Sequence, residues 1–439
     1  MIERRSFGLR DKALSEVIAP SNAECAVKGI QGNEPHLVVG LGRSYGDVGL
    51  INGGRTLATT FMNKFLGFDR ENGLLNCEAG VTLADIQSTF VKQGWMLPVT
   101  PGTSFVSVGG AIANDVHGKD HHTWGTFGEH VVGIKLARSN GEIIDCSLVE
   151  NPQLFKATIG GLGLTGLILE ATIRLRPSAG PYVDAENLTF YNLKEFFKLS
   201  TETSSQGWQA SVAWFDCSTS RFGRGSLTRG NPSLQRYDPA TDDAKLESLK
   251  AKLAVPITPP FSLVNKASLD AFNHAYFNLQ RAKSGKQFMH FKDFYYPLDG
   301  ISNWNRIYGH RGFFQYQSVI PAEFAEDATQ EMLANIRRSG QGSFLGVLKI
   351  FSKREPAGLL SFAREGTTLA LDFPDRGPVT MKLFERLDAI VSEAGGRLNP
   401  SKDGRMSRQM FEAGFPNLAE FLKHRDPGFV SEFSRRLID

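Results

Sequence analysis

Between Thr100 and Val132 the chain reads TPGTSFVSVGGAIANDVHGKDHHTWGTFGEHVV and holds four of the nine histidines. Gly109, Gly110, Ala111 and Ala113 let backbone approach a flat ligand closely, because larger side chains would collide with it. Beside them, His117, Lys119, His121 and His122 can donate to a ring system or to a substrate oxygen. Glycine turns alone suggest a loop, and histidines alone a metal site. Together they point to a redox cofactor with its reactive face turned to a pocket.

Other residues bear chemistry. Gly40-Leu41-Gly42-Arg43-Ser44-Tyr45-Gly46-Asp47 follows a short apolar run, and successive N–H groups in glycine-permitted conformations make an anion nest suited to a diphosphate. No Gly-Lys-Ser/Thr follows, so it is not a Walker A loop, and a surface turn with one arginine fits the residues equally well. Gly161-Leu-Gly163-Leu-Thr-Gly166 is a literal G-x-G-x-x-G, but a helix pattern precedes it and a strand pattern follows, the inverse of the Rossmann order. Those glycines either admit a nucleotide closely or form a tight turn. The adjacent histidines of HGKDHH would point to opposite faces of an extended chain, so no metal site is expected. Lys349, in the apolar run Phe344 to Ile350, and Lys402, in Asn399-Pro-Ser-Lys-Asp403, are lysines that burial would make bases or anion holders.

These groups need elements to hold them. His36 to Gly40 reads as a buried strand. Thr82 caps a helix with Leu83, Ile86, Phe90 and Val91 on one face, ended by Gly94. Val131 to Ala137 and Glu142 to Cys146 flank Asn140-Gly141 as a hairpin, and Pro152 to Thr158 is helical. Leu167 to Leu175 alternates with period two and is a strand closed by Pro177. From Ser178 a second, α+β unit begins, with strands at Trp208–Phe215, Gly312–Ile320, Phe344–Phe351 and Thr368–Phe373 and helices at Ala322–Ser339 and Val379–Ala394. Gly230 to Pro260, polar and proline-bearing, reads as a mobile loop. The tail from Arg397 to Asp439 is polar and helical, too short to fold alone, and returns to the first unit.

With 439 residues, 41% hydrophobic and 22% charged, the chain is an ordinary globular protein with ample core. A net charge of +3 is too small to argue for nucleic acid. The first residues lack the apolar core of a signal peptide, and no stretch approaches the roughly 20 apolar residues that span a bilayer. Cys25, Cys77, Cys146 and Cys217 lie far apart, which suggests buried, reduced thiols and a cytoplasmic location.

In this order, GLGRSYGD, PGTSFVSVGGAIANDVHGKDHH, GGLGLTGLI, FYYPLD with WNRIYG, FFQYQSVIP, VLKIF, LDFP and GGRLNPSKD resemble the vanillyl-alcohol oxidase/p-cresol methylhydroxylase type of FAD-binding fold. More narrowly they are similar to the decaprenylphosphoryl-β-D-ribose 2-oxidase family of flavoenzymes, which serve bacterial arabinose donor synthesis. The resemblance implies a two-domain α+β fold: residues 1–178 binding FAD, residues 179–396 a sheet-based substrate domain, and residues 397–439 returning to the FAD domain. It implies an FAD diphosphate on Gly40 to Asp47, and an isoalloxazine on Gly102, Val106, Ser107, Val108, Gly109, Gly110, Ala113, Asn114, Val116 and His117. Ile168 would lie near the adenine, and Asn399 stands where relatives carry a flavin-contacting tyrosine. Lys402, Lys349 and His117 would be catalytic; Lys119, Trp214, Tyr295, Gln315, Gln317 and Lys349 would line the substrate pocket. Ala370 replaces a pocket cysteine of mycobacterial members.

Because Ser44 and Tyr45 stand where some relatives link histidine to flavin, the FAD is expected to be non-covalent. The implied reaction takes the 2-hydroxyl of a polyprenyl-phosphoryl ribose to a keto sugar, with Lys402 as base and hydride passing to flavin N5. An NAD(P)H-dependent keto-sugar reductase is the implied partner, with peripheral contact at the inner membrane surface. A soluble polyol, free sugar or sugar acid is the alternative substrate class, and a silent flavin-fold binding protein the non-enzyme alternative.

Overall fold

The helix Leu83–Phe90 starts at a reciprocal cap: Thr82 Oγ1 accepts from the Asp85 N–H at 3.0 Å, and the Asp85 carboxylate accepts in return from Thr82. It ends through a short 3₁₀ turn at Gly94, whose φ of +85° suits glycine. Its buried face, Leu83, Ile86 and Phe90, packs on a five-stranded antiparallel sheet ordered Phe65–Asp69, Leu74–Glu78, Leu167–Arg174, Val131–Ala137, Ile143–Ser147. The alternation in Leu167–Arg174 follows from that packing, since Ala171 and Ile173 enter the core while Arg174 is exposed. A smaller mixed sheet joins Ile2–Arg5, Lys12–Ile18, Arg55–Ala58 and His36–Val39. The computed structural model describes residues 1–217, 222–247 and 253–439.

An eight-stranded antiparallel sheet dominates the later half, ordered Gly285–His290, Tyr182–Phe190, Gly225–Pro232, Ala210–Phe215, Gly346–Phe351, Gly366–Pro374, Phe313–Ile320, Arg397–Leu398. Helices Leu193–Ser205, Ala325–Ser339 and Pro378–Glu393 cover one face, burying Phe196, Met332, Leu333 and Leu387 against Phe215, Leu348 and Leu371. Register puts Gln317 opposite Ala370, Lys349 opposite Thr368 and Gln315 opposite Asp372, so period two gathers these side chains on the other face. The architecture is mixed α and β.

The tail begins inside this sheet, with Arg397 and Leu398 paired to Val319 and Ser318. It then crosses to the earlier sheets: Val430 donates its N–H to His36 O at 2.8 Å, and Arg436 pairs with Asp47 at 2.8 Å.

Three expectations need correction. Gly230–Pro260 is not a loop throughout. Strand Gly225–Pro232 extends into it and helix Pro239–Glu247 follows, held where Tyr182 Oη donates to Asp242 at 2.6 Å and Leu246 is buried; residues 248–252 lie outside the described residues. His121 and His122 are not in extended chain but begin the single turn His121–Trp124. Cys25 is exposed, on the outer face of a helix that buries Ala26, whereas Cys77, Cys146 and Cys217 are buried free thiols.

Candidate active site

A cavity of about 540 Å³ lies where the glycine runs, the open face of the large sheet and the start of the tail meet. One wall is the loop from Gly40 to Gly46, whose Gly42 takes φ +62°. A Cβ on Gly40 would collide with Ser107 Oγ, so this glycine is what lets the loop touch the helix Val108–Ala113. A Cβ on Gly46 would likewise strike the Asp403 carbonyl, which brings the loop against the tail. The second wall is Gly102, Ser107, Gly109, Gly110, Ala113, Asn114, Val116 and His117, with Ile168 and the glycines Gly163 and Gly166 adjoining. The G-x-G-x-x-G run is therefore a turn that forms cavity wall, between the helix and strand read from the sequence.

The third wall is chemical. Gln315, Gln317, Val347, Lys349, Thr368 and Ala370 come from the large sheet, and Asn399, Ser401 and Lys402 from the tail. Lys349 Nζ lies 3.2 Å from His117 Nδ1, and Gln317 Nε2 lies 3.2 Å from His117 Nε2. Asn399 Nδ2 donates to Gln317 Oε1 at 3.0 Å, while Gln315 Nε2 donates to Asp372 Oδ1 at 2.8 Å. Lys402 Nζ sits 4.2 Å from the centre of the Tyr45 ring, a cation–π contact, with the Asp372 carboxyl nearby.

Burial shapes the charges. Loss of water, reinforced by Lys119 and Lys402, pulls the Lys349 ammonium down to about 7. Loss of water takes Lys402 to about 8 against the pull of Asp372, and pushes the Asp372 carboxyl up to about 7. His117 falls well below its ordinary value through burial and the neighbouring Lys349, so its imidazole is neutral. A cavity with a neutral imidazole, two easily deprotonated lysines and a polarised wall of amides can take a proton and stabilise an alkoxide.

Five expected residues stand off the cavity. Lys119 Nζ donates to the Phe294 carbonyl, and Tyr295 Oη donates to Asp120 at 3.0 Å; both lie behind the wall. Trp214 Nε1 donates to Phe344 O at 2.9 Å and its ring packs on Tyr276. Val108 is fully buried in the core beneath the glycines, and Asp47 turns to Arg436. Which partner each of these side chains meets is set by packing between elements distant in sequence, which period and charge do not show. The sequence reading also missed Arg4 to Phe7, Asp299 to Trp304 and Thr368 on the wall. Thr368 alone carried a signal, because period two sets it on the face of Ala370.

A family model described as an FAD binding domain matches residues 24–147, which include the glycine loop and the small-residue wall. The decaprenylphosphoryl-beta-D-ribose oxidase of Mycolicibacterium smegmatis is 34% identical over 98% of this chain and 96% of that protein. An uncharacterised Streptomyces coelicolor protein is 28% identical over 81% of the chain and all of its own length. The L-gulonolactone oxidase of Bos taurus is 34% identical, over 34% of the chain and 33% of that enzyme. The residues present fit FAD: Gly102 faces open space where a Cβ would stand, and the buried Asn114 Oδ1 on the wall has no hydrogen-bond partner among the described residues.

Proposed function

This chain belongs to the decaprenylphosphoryl-beta-D-ribose oxidase family, and from that premise we propose that it oxidises the 2-hydroxyl of a polyprenyl-phosphoryl ribose to a keto sugar. It is an FAD-dependent oxidoreductase. Residues 1–178 with 397–439 hold the FAD in this reading, and residues 179–396 receive the sugar. The observation that carries it is one cavity bearing the glycine loop Gly40–Gly46, the wall Gly102–His117 and the buried pair Lys349 and Lys402.

The N–H groups of Gly40 to Gly46, with Arg43, receive the diphosphate. Gly102, Ser107, Gly109, Gly110, Ala113, Asn114 and Val116 bed the ring, and Ile168 bounds the adenine side. FAD is held without a covalent bond, since no histidine lies in the loop and His117 is engaged by Lys349 and Gln317. Bound FAD supplies the two-electron acceptor. Gln315, Gln317 and His117 orient the sugar, Lys402 holds positive charge beside the developing alkoxide, and the apolar wall of Val347 and Ala370 keeps water away.

The lipid is supported by the rim. Leu253 and Ala254 pair with Ile301 and Ser302 on the cavity edge, and Leu253, Ile257 and Phe261 are 66%, 73% and 69% exposed. Such side chains suit a polyprenyl tail and contact with a membrane surface. Among the described residues no helix is long and apolar enough to cross a membrane. A keto product calls for a reductase that draws on NAD(P)H. Anaerobic mixing with polyprenyl-phosphoryl ribose should bleach the flavin band, and free ribose should do so far more slowly. Equal bleaching by both would remove the lipid from the substrate; oxidised flavin in both arms would remove the sugar.

A further inference from the structure

The polar chain behind Lys349 has a direction. It starts at a donor that cannot reverse, the backbone N–H of Ser401, which donates to Asn399 Oδ1 at 3.1 Å; Ser401 Oγ donates to the same oxygen at 2.9 Å. The other end of the Asn399 amide is therefore its NH₂, which donates to Gln317 Oε1 at 3.0 Å. That turns the Gln317 NH₂ towards Thr368 Oγ1 at 3.1 Å and His117 Nε2 at 3.2 Å. An amide nitrogen donates only, so His117 Nε2 must accept. A neutral imidazole has one N–H, and it is then on Nδ1, facing Lys349 Nζ at 3.2 Å. An ammonium cannot accept that N–H; an amine can.

We propose that Asn399, Gln317 and His117 hold Lys349 as the free amine, which makes Lys349 rather than Lys402 the acceptor of the substrate hydroxyl proton. The inference rests on the oxidoreductase reading above. In the step, the O–H bond breaks and its proton joins the lone pair of Nζ. The O–H electron pair becomes the second bond of the carbonyl, and the carbinol hydrogen leaves with its pair to the oxidant, FAD. At rest that lone pair accepts from Nδ1–H, and the arriving hydroxyl takes its place. The ammonium so formed has no partner in His117, so it gives the proton up readily and the amine is restored.

The charged surroundings agree. Lys119 and Asp120 come from the loop before the histidine turn, His121 from the turn itself, and Lys402 from the tail. Two of these four are lysines and His121 is held neutral, leaving Asp120 as the opposing charge. Asp120 is itself pushed up to about 6 by burial. Burial lowers Lys402 as well, to about 8, but Asp372 and the Tyr45 ring at 4.2 Å oppose it more strongly than the Phe351 ring at 5.9 Å opposes the loss at Lys349. Asn399 and Gln317 act through His117 and are positioning residues.

Nitrogen-15 NMR of the histidine rings tests this without turnover, on the FAD-loaded protein, with His117 assigned by its absence in His117→Gln. The wild type should show a protonated Nδ1 and a bare Nε2. Gln317→Glu supplies an acceptor to Nε2 and should move the proton there. Gln317→Met cuts the chain without adding charge and should leave a mixture of tautomers. Competitive acetylation followed by peptide mass spectrometry then reads the proton affinity of Lys349, expected to rise by about one pH unit in Gln317→Met. An Nε2–H tautomer in the wild type, or a Lys349 titration unmoved in both variants, overturns the proposal. Neither readout needs a substrate, so failure of the sugar assignment would leave them standing.

Discussion

Lys402 and Lys349 occupy one cavity but differ in what faces them. Lys402 has the Tyr45 ring at 4.2 Å and the Asp372 carboxyl nearby; Lys349 has the His117 imidazole at 3.2 Å, with the Phe351 ring further off at 5.9 Å and Asp120 opposed by Lys119 and Lys402. Lys402→Ala should therefore keep FAD bound and slow anaerobic flavin reduction by about 10²–10³-fold, the usual scale for a lost charge stabiliser. Rapid mixing checks it, and an unchanged rate would remove Lys402 from the reaction. The rise with pH belongs to Lys349. Its amine must be free to take a proton, and its value is depressed to about 7, while Lys402, at about 8, must stay charged; reduction should therefore be slow at pH 5, rise through about 7 and fall again above about 8. A rate that falls between pH 5 and 7 would contradict the assignment. Gly102→Ala adds a methyl to open space, so the apoprotein should keep its melting temperature while FAD affinity falls. The two lysines were legible in the sequence because apolar or constrained neighbours marked them. Tyr295 entered only through the family resemblance and Lys119 through its place beside the histidines, and packing turns them to Asp120 and Phe294 O.

At the scale of elements, the loop Gly40–Gly46 and the turn Asn399–Lys402 fix each other. Tyr45 donates its N–H to Ser401 O at 3.1 Å, and Arg436 bridges Asp47 and Asp403 at 2.8 and 3.2 Å. Gly46→Ala would drive a methyl into the Asp403 carbonyl. It should cost about 1–3 kcal/mol, lower the melting temperature and release FAD together. A variant of wild-type stability that holds FAD would show that the loop and tail are not locked. The helix Leu83–Phe90 and the strand Leu167–Arg174 were readable because a cap and a strict period write themselves into adjacent residues. Helix Pro239–Glu247 was not. Its apolar face is nearly reduced to Leu246, and its anchors, Tyr182 to Asp242 and Lys92 to Asp243, are distant in sequence.

Across the whole molecule, the sequence placed the glycine loop, the small-residue wall, Lys349 and Lys402 in one site although they lie up to 362 positions apart, from Gly40 to Lys402. That was legible through the family resemblance and the period of the strands. Hidden from it were the contributions of Arg4 to Phe7 and of Asp299 to Trp304, which reach the cavity only because the first strands and the Ile301 rim fold over it. Leu253 and Ala254 pair with Ile301 and Ser302 of that rim, and Leu253, Ile257 and Phe261 are exposed. In the proposed function the carbinol hydrogen at C2 of a lipid-linked sugar leaves in this cavity. Anaerobic rapid mixing of the FAD-loaded protein with polyprenyl-phosphoryl ribose, carrying hydrogen or deuterium at C2, measures that departure. Flavin bleaching should be several-fold slower with deuterium, and a 2-keto sugar should form. Bleaching at the same rate for both isotopes with no 2-keto sugar formed, or no bleaching at all, would contradict the proposed function.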